Sequence, residues 1–240
     1  MRFFNAFFDN DSVFGQIMTR LGILIAANVL FIIFSLPIVT IGASFTALYY
    51  VMLSMLRGET ALNPLRTFWV GFRQNFKQAT KYWLLTLVLF VVLYLEIFWC
   101  SQFTGAIATF RYPLMALAFA LFILVSYLFP TLAAFHVTLR QLLADCVYFA
   151  FRRPITLIIV LFTNVMPMVL TYMDYPRLPL YAFLWCLCGF ALVAFSNARL
   201  LIILYLPYLE ERKEEATEEE SQKEPPSQKQ ILDDMRKLDM

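Results

Sequence analysis

Charge is the scarcest material in this chain. Only 15% of its 240 residues are charged, while 61% are hydrophobic and 17% aromatic; a soluble domain carries about 25% charged and about 45–50% apolar residues. The scarcity is uneven. Residues 208–240 hold 11 acidic and 6 basic side chains, a net of −5, which leaves residues 1–207 with 13 basic and 6 acidic ones, a net of +7. So few charges cannot furnish the polar exterior of a soluble fold. That excludes a cytosolic enzyme, a disulfide-stapled secreted domain and a nucleic-acid binder. What remains is an all-α, polytopic helical membrane protein.

Other absences narrow the chemistry. His136 is the one histidine, so a metal centre with several imidazole ligands is excluded. A Ser-His-Asp arrangement would have only that base to use, and Asp145 and Asp174 fall on opposite expected sides of the membrane. Cys100, Cys146, Cys186 and Cys188 form no CxxC pair, and Cys186 and Cys188 lie about 200° apart on a helix. The seven glycines are isolated and make neither a Walker A loop nor GxGxxG. The expectation is a protein that is not an enzyme, with no cofactor, metal or catalytic residue.

What the chain has in abundance is uncharged apolar sequence. A crossing helix needs about 20 apolar residues. The uncharged stretch between Arg20 and Arg57 is too long for one crossing, and Pro37 divides it: proline removes a backbone donor and disfavours helix at Leu36. Thr40 or Ser44 is placed to cap a new helix. The spans are read at about 20–37 and 43–57, the second short enough to cross tilted or to re-enter. Further runs cover 82–100, 112–137, 155–173 and 180–206. Six spans are expected.

Lysine and arginine set the orientation, because positive loops stay cytoplasmic. Arg57, Arg66, Arg73, Lys77 and Lys81 share one loop and Arg140, Arg152 and Arg153 another, against Arg111 and Arg177 on the opposite side. Both termini are therefore expected in the cytoplasm, at the cell membrane. Phe3, Phe4, Phe7 and Phe8 beside Asp9 and Asp11 suit a short interfacial helix rather than a cleaved signal peptide.

Between the second and third runs, Asn63-Pro64 is an N-cap followed by proline at the first helical position. Downstream, Phe68, Trp69, Phe72 and Phe76 share a sector of about 100°, and Arg66, Arg73 and Lys77 an adjoining sector of about 40°. This pattern predicts an amphipathic helix at the cytoplasmic surface, facing anionic headgroups or a partner protein. Arg66, Phe72, Arg73, Asn75, Phe76 and Lys77 are the candidate lipid or partner contacts. Within the spans, Arg199, Glu96 and His136 are the candidate polar sites, because ionisable groups in lipid are costly and commonly functional. The bland alternatives are snorkelling for Arg199, the outer surface or an Arg111 pair for Glu96, and an interfacial position for His136. After residue 207 a charged cytoplasmic tail begins. Its first part has helical propensity, yet it has too little apolar sequence to fold alone and is read as disordered; Ile231, Leu232, Met235 and Leu238 have the spacing of a short helix.

Several segments resemble the YesL family, small multispanning membrane proteins of Gram-positive bacteria. They are Asn28, Leu36-Pro37-Ile38-Val39-Thr40-Ile41-Gly42-Ala43, Ala47-Leu48-Tyr49-Tyr50 and Phe72-Arg73-Gln74-Asn75-Phe76-Lys77-Gln78-Ala79, with Phe129-Pro130 and Leu139-Arg140-Gln141-Leu142-Leu143 further on. The resemblance covers about residues 1–208. It implies an accessory component associated with carbohydrate ABC transport, with the subunits of such a transporter as partners beside the lipid bilayer. It implies no catalytic residues. The alternatives are a small independent permease or channel lined by Arg199 or Glu96, and a sensor signalling through the acidic tail.

Overall fold

The structure, a computed structural model, describes residues 13–58, 62–103, 105–135 and 138–223, without the side chains of 13, 106, 107 and 211–223. The helices expected at Phe3–Phe8 and Ile231–Leu238, and His136, lie outside these residues. The described chain is helical. In order it forms α1 (Val13–Ser35), a 3-10 turn (Ile38–Thr40), α2 (Ile41–Leu56), α3 (Pro64–Ser101), the short α4 (Ala106–Thr109), α5 (Arg111–Ala134) and α6 (Leu139–Arg152). Then come α7 (Pro154–Met173), a 3-10 turn (Tyr175–Arg177), α8 (Leu178–Leu184), a π turn (Trp185–Gly189) and α9 (Phe190–Lys223). Six segments are long and apolar enough to cross a bilayer: Phe14–Ser35, Ile38–Leu56, Pro64–Ser101, Arg111–Ala134, Pro154–Met173 and Tyr175–Glu210. The protein is an all-α, multi-pass membrane protein.

The break at Pro37 forms for the expected reason, with a different detail at the cap. Thr40 occupies the N-cap of α2, but its side chain does not cap the new helix. Its hydroxyl donates to the carbonyls of Phe34, at 2.6 Å, and Pro37, at 2.8 Å. It thus satisfies acceptors left open where α1 ends. The Trp83 indole donates to the Ile38 carbonyl at 2.8 Å, tying this turn to α3.

Helix α2 lies at the centre of the bundle, packed against α1, α3 and α5. Its 16 residues span only about 24 Å, short of about 30 Å of hydrocarbon. Eleven of them are buried, so protein rather than lipid surrounds most of this helix. Gly42 permits the closest approach. A Cβ there would overlap the Trp83 side chain and meet the Ala79 carbonyl at 2.8 Å, so α2 and α3 pack almost backbone to backbone, as small residues allow in membranes.

Helix α3 departs from the sequence reading. The surface helix and the third span expected there are one continuous helix of 38 residues, about 57 Å long. Asn63 caps it as expected: its side-chain oxygen accepts from the amides of Leu65, at 3.1 Å, and Arg66, at 3.3 Å. No helix breaker separates Pro64–Lys81 from the apolar run after it, so the helix does not stop where the composition changes.

Helix α6 is amphipathic and begins in a capping box: Gln141 Oε1 accepts from the Thr138 amide at 3.2 Å and from its hydroxyl at 2.8 Å. It buries Leu142, Cys146, Phe149 and Ala150. Helix α7 buries only Val160 and is the most exposed of the spans. The molecule divides into a unit ending at Ile202 and a second one beginning at Ile203. Helix α9 continues through Pro207 to Lys223. The first half of the tail, read as disordered from Tyr208, therefore has a helical backbone over 208–223. Its glutamates, lysines and alanine are good helix formers.

Candidate functional site in the bundle

Polar side chains at the helix contacts build the interior of the first unit. Asn28 on α1 is fully buried and serves the π turn. Its amide nitrogen donates to the carbonyls of Trp185, at 3.0 Å, and Cys186, at 2.8 Å, while its oxygen accepts from the Ala191 amide at 3.0 Å. A π turn displaces the regular i→i−4 ladder, and in a bilayer no water is present to satisfy what it displaces. One asparagine supplies three bonds there.

A second polar group lies deeper. Asn197 on α9, also fully buried, donates from Nδ2 to Asn164 Oδ1 on α7 at 2.7 Å and to the Tyr49 hydroxyl on α2 at 3.2 Å. Three spans are joined through one amide. The arrangement leaves groups over. Asn197 Oδ1 is buried without a partner. Asn164 Nδ2 and the Tyr49 hydroxyl proton meet no acceptor among the described residues. Asn164 is residue 11 of the 20 in α7, about 15 Å from either end, close to the middle of the span.

Asn164 and Tyr49 line a half-enclosed cavity of about 300 Å³ between α2, α3, α5, α7, the π turn and the start of α9. Phe45, Trp83, Phe129, Trp185 and Phe190 supply aromatic walls. The walls are fixed by packing: Phe45 stacks on Phe129 at 5.9 Å, and the Trp185 and Phe190 rings meet at 4.8 Å. The Trp185 indole also donates to Thr171 Oγ1 on α7 at 3.0 Å. On the α7 side the lining is open, with Val165, Met168 and Val169 exposed by 40–58%. No charged residue lines the cavity.

The sequence-predicted residues fall elsewhere. Arg199 and Glu96 are both exposed on outer helix faces. Neither has an ionic partner among the described residues, where the ion pair is Arg177–Asp174 at 3.0 Å. Arg111, a possible mate for Glu96, instead donates to the Tyr112 hydroxyl at 3.0 Å. The six candidates on α3 are divided. Arg66, Arg73, Phe76 and Lys77 are exposed, whereas Phe72 and Asn75 are buried. Phe68, Trp69 and Phe72 surround Phe34 of α1 at 5.0–5.8 Å, so Phe68 and Phe72 are used within the fold while Trp69 and Phe76 remain exposed. Asn75 Nδ2 donates to the Gly71 carbonyl at 3.1 Å. Among the described residues no group of acidic, histidine and cysteine side chains could hold a metal ion.

Asn28, Tyr49, Asn164 and Asn197 were missed as a set. A lone asparagine in an apolar run has no periodicity to reveal it; the available signal was that an amide at mid-span must find partners.

Comparison with known proteins adds one finding. The model of a family described as "Protein of unknown function, DUF624" matches residues 24–97, from within α1 through most of α3, and this part of the chain is similar to that family. No curated protein and no solved structure matches.

Proposed function

We propose that this multi-pass protein resides in the cell membrane with both termini in the cytoplasm and is YesL-like. In this reading it is an accessory component associated with carbohydrate ABC transport and assists a permease by helix packing and cytoplasmic contacts. The observation that carries the proposal is α3. Its 38 residues exceed the hydrocarbon thickness by about 27 Å. Its Pro64–Lys81 end packs along α2 and against Phe34 of α1 and leaves Arg66, Arg73, Phe76 and Lys77 exposed. This exposed basic face is the surface that the reading offers to a transporter's cytoplasmic parts. The basic residues Arg140, Arg152 and Arg153 around α6 belong on the same side.

The permease alternative has less behind it. A sugar would need polar groups along its path to replace its hydration. Glu96 and Arg199 face outward, and the cavity is mostly aromatic and aliphatic. Affinity purification from native membranes in mild detergent tests the proposal. Retention of permease and ATPase subunits, weakened by combined Arg66→Glu and Arg73→Glu changes, is expected. Recovery of this protein alone, without those subunits, would overturn the reading.

A further inference from the structure

We infer that the cavity between α2, α5, α7 and the π turn binds a neutral, two-ring, carbonyl-bearing molecule that enters from the hydrocarbon of the bilayer. The inference stands apart from the accessory role above, since it concerns the interior of this chain alone.

Size comes first. A cavity of about 150 Å³ takes one benzene ring, so about 300 Å³ takes a fused pair. Shape and surface agree, since Trp83, Phe129, Trp185 and Phe190 offer ring faces and edges against which a planar molecule packs. Charge is settled by the lining, which holds no ionisable side chain apart from the Tyr49 phenol; an ion there would be desolvated without a counter-charge. The route is lateral, because the exposed edge is Val165, Met168 and Val169 on a helix that buries only Val160.

The polar end of the ligand follows from the leftover hydrogen-bonding groups. Asn164 and Tyr49 both line the cavity, and the Asn164 Nδ2 and Tyr49 hydroxyl donors have no acceptor among the described residues. A carbonyl oxygen accepts from both. The Asn164 oxygen is taken by Asn197, and its amide nitrogen is left needing an acceptor that the described residues do not supply. The depth separates this ligand from an ordinary phospholipid. Asn164 sits about 15 Å inside the span, where a headgroup-anchored lipid presents only methylene groups. A molecule that carries its carbonyl to that depth must be neutral and soluble in hydrocarbon.

The test uses tritiated 2-methyl-1,4-naphthoquinone and the full chain in lipid nanodiscs, with empty nanodiscs as the partition background. Saturable binding at one site per chain is expected. Asn164→Leu should weaken it about five- to tenfold, the effect of a lost neutral hydrogen bond. Oxygen-free 2-methylnaphthalene should compete more weakly and be indifferent to that change. Val165→Trp, placed at the exposed edge where it leaves the core untouched, should abolish binding of both and keeps the test valid if Asn164→Leu misfolds. Uptake that rises linearly with concentration, or that is the same in wild type and Val165→Trp, would overturn the inference, as would equal affinity for the two probes. These outcomes are independent of whether transporter subunits co-purify.

Discussion

Asn28 makes three hydrogen bonds to one irregular turn of helix, and a leucine of similar size could make none. Interhelical bonds in membranes average about 0.6 kcal/mol each, and comparable bonds in water about 1 kcal/mol. Asn28→Leu should therefore cost about 2–3 kcal/mol, read as an earlier midpoint when the detergent-solubilised protein is titrated with sodium dodecyl sulfate. An unchanged midpoint would mean that the π turn holds itself. Cys146 makes a second residue-level case, on α6 outside the spans. Burial pushes its thiol up to about 12; a Thr131 hydrogen bond opposes the rise and the Asp145 charge adds to it. The folded state thus prefers the neutral thiol. That stabilisation is complete below the ordinary value of 9.0 and is lost as pH climbs towards 12. At pH 8 Cys146 should resist maleimide in the native protein and react after denaturation. Sequence reading at this scale was uneven. The Asn63 cap was legible because capping is local. The roles of Asn28, Asn164 and Asn197 were not, because their partners lie 33–163 residues away.

At the scale of elements, the apolar runs translated almost directly into helices, since a bilayer leaves few alternatives to helix for an uncharged run. The second run was open between crossing and re-entry. Its helix is short and enclosed by neighbours, a property of packing that hydropathy does not carry. Two predictions concern helix contacts. Gly42→Ala should destabilise the α2–α3 contact by about 1–3 kcal/mol, the usual cost of overpacking. Gly22→Ala on α1 meets nothing within 4 Å and should stabilise by about 0.5–1 kcal/mol, because a mid-helix glycine is costly. The two variants, compared by thermal unfolding in one detergent, should move in opposite directions. Helix α3 supplies the third. The change at Tyr82 from amphipathic to apolar sequence looked like a junction between two elements, but composition changes without a breaker do not end a helix. Spin labels at Arg66→Cys and Glu96→Cys should lie about 45 Å apart between the backbones if the helix is unbroken. A distance near 30 Å would restore the separate surface helix.

Six segments of the described chain are long and apolar enough to cross a bilayer, and their polar residues are arranged opposite to those of a solute path. Glu96 and Arg199 face outward, while the buried amides are used within the fold: Asn28 and Asn75 on backbone groups and Asn197 on Asn164 and Tyr49. Sequence alone located those two charges and could not tell which way they point, because a single charge on an otherwise apolar helix has no opposite face to define it. Their outward placement and the apolar cavity fit the proposed accessory role better than the permease alternative. Flux through the purified protein tests that most directly. Liposomes that contain this protein alone, loaded with radiolabelled mono- and disaccharides, should stay as tight as protein-free liposomes. Sugar release above that background, lost in Glu96→Ala or Arg199→Ala, would contradict the account.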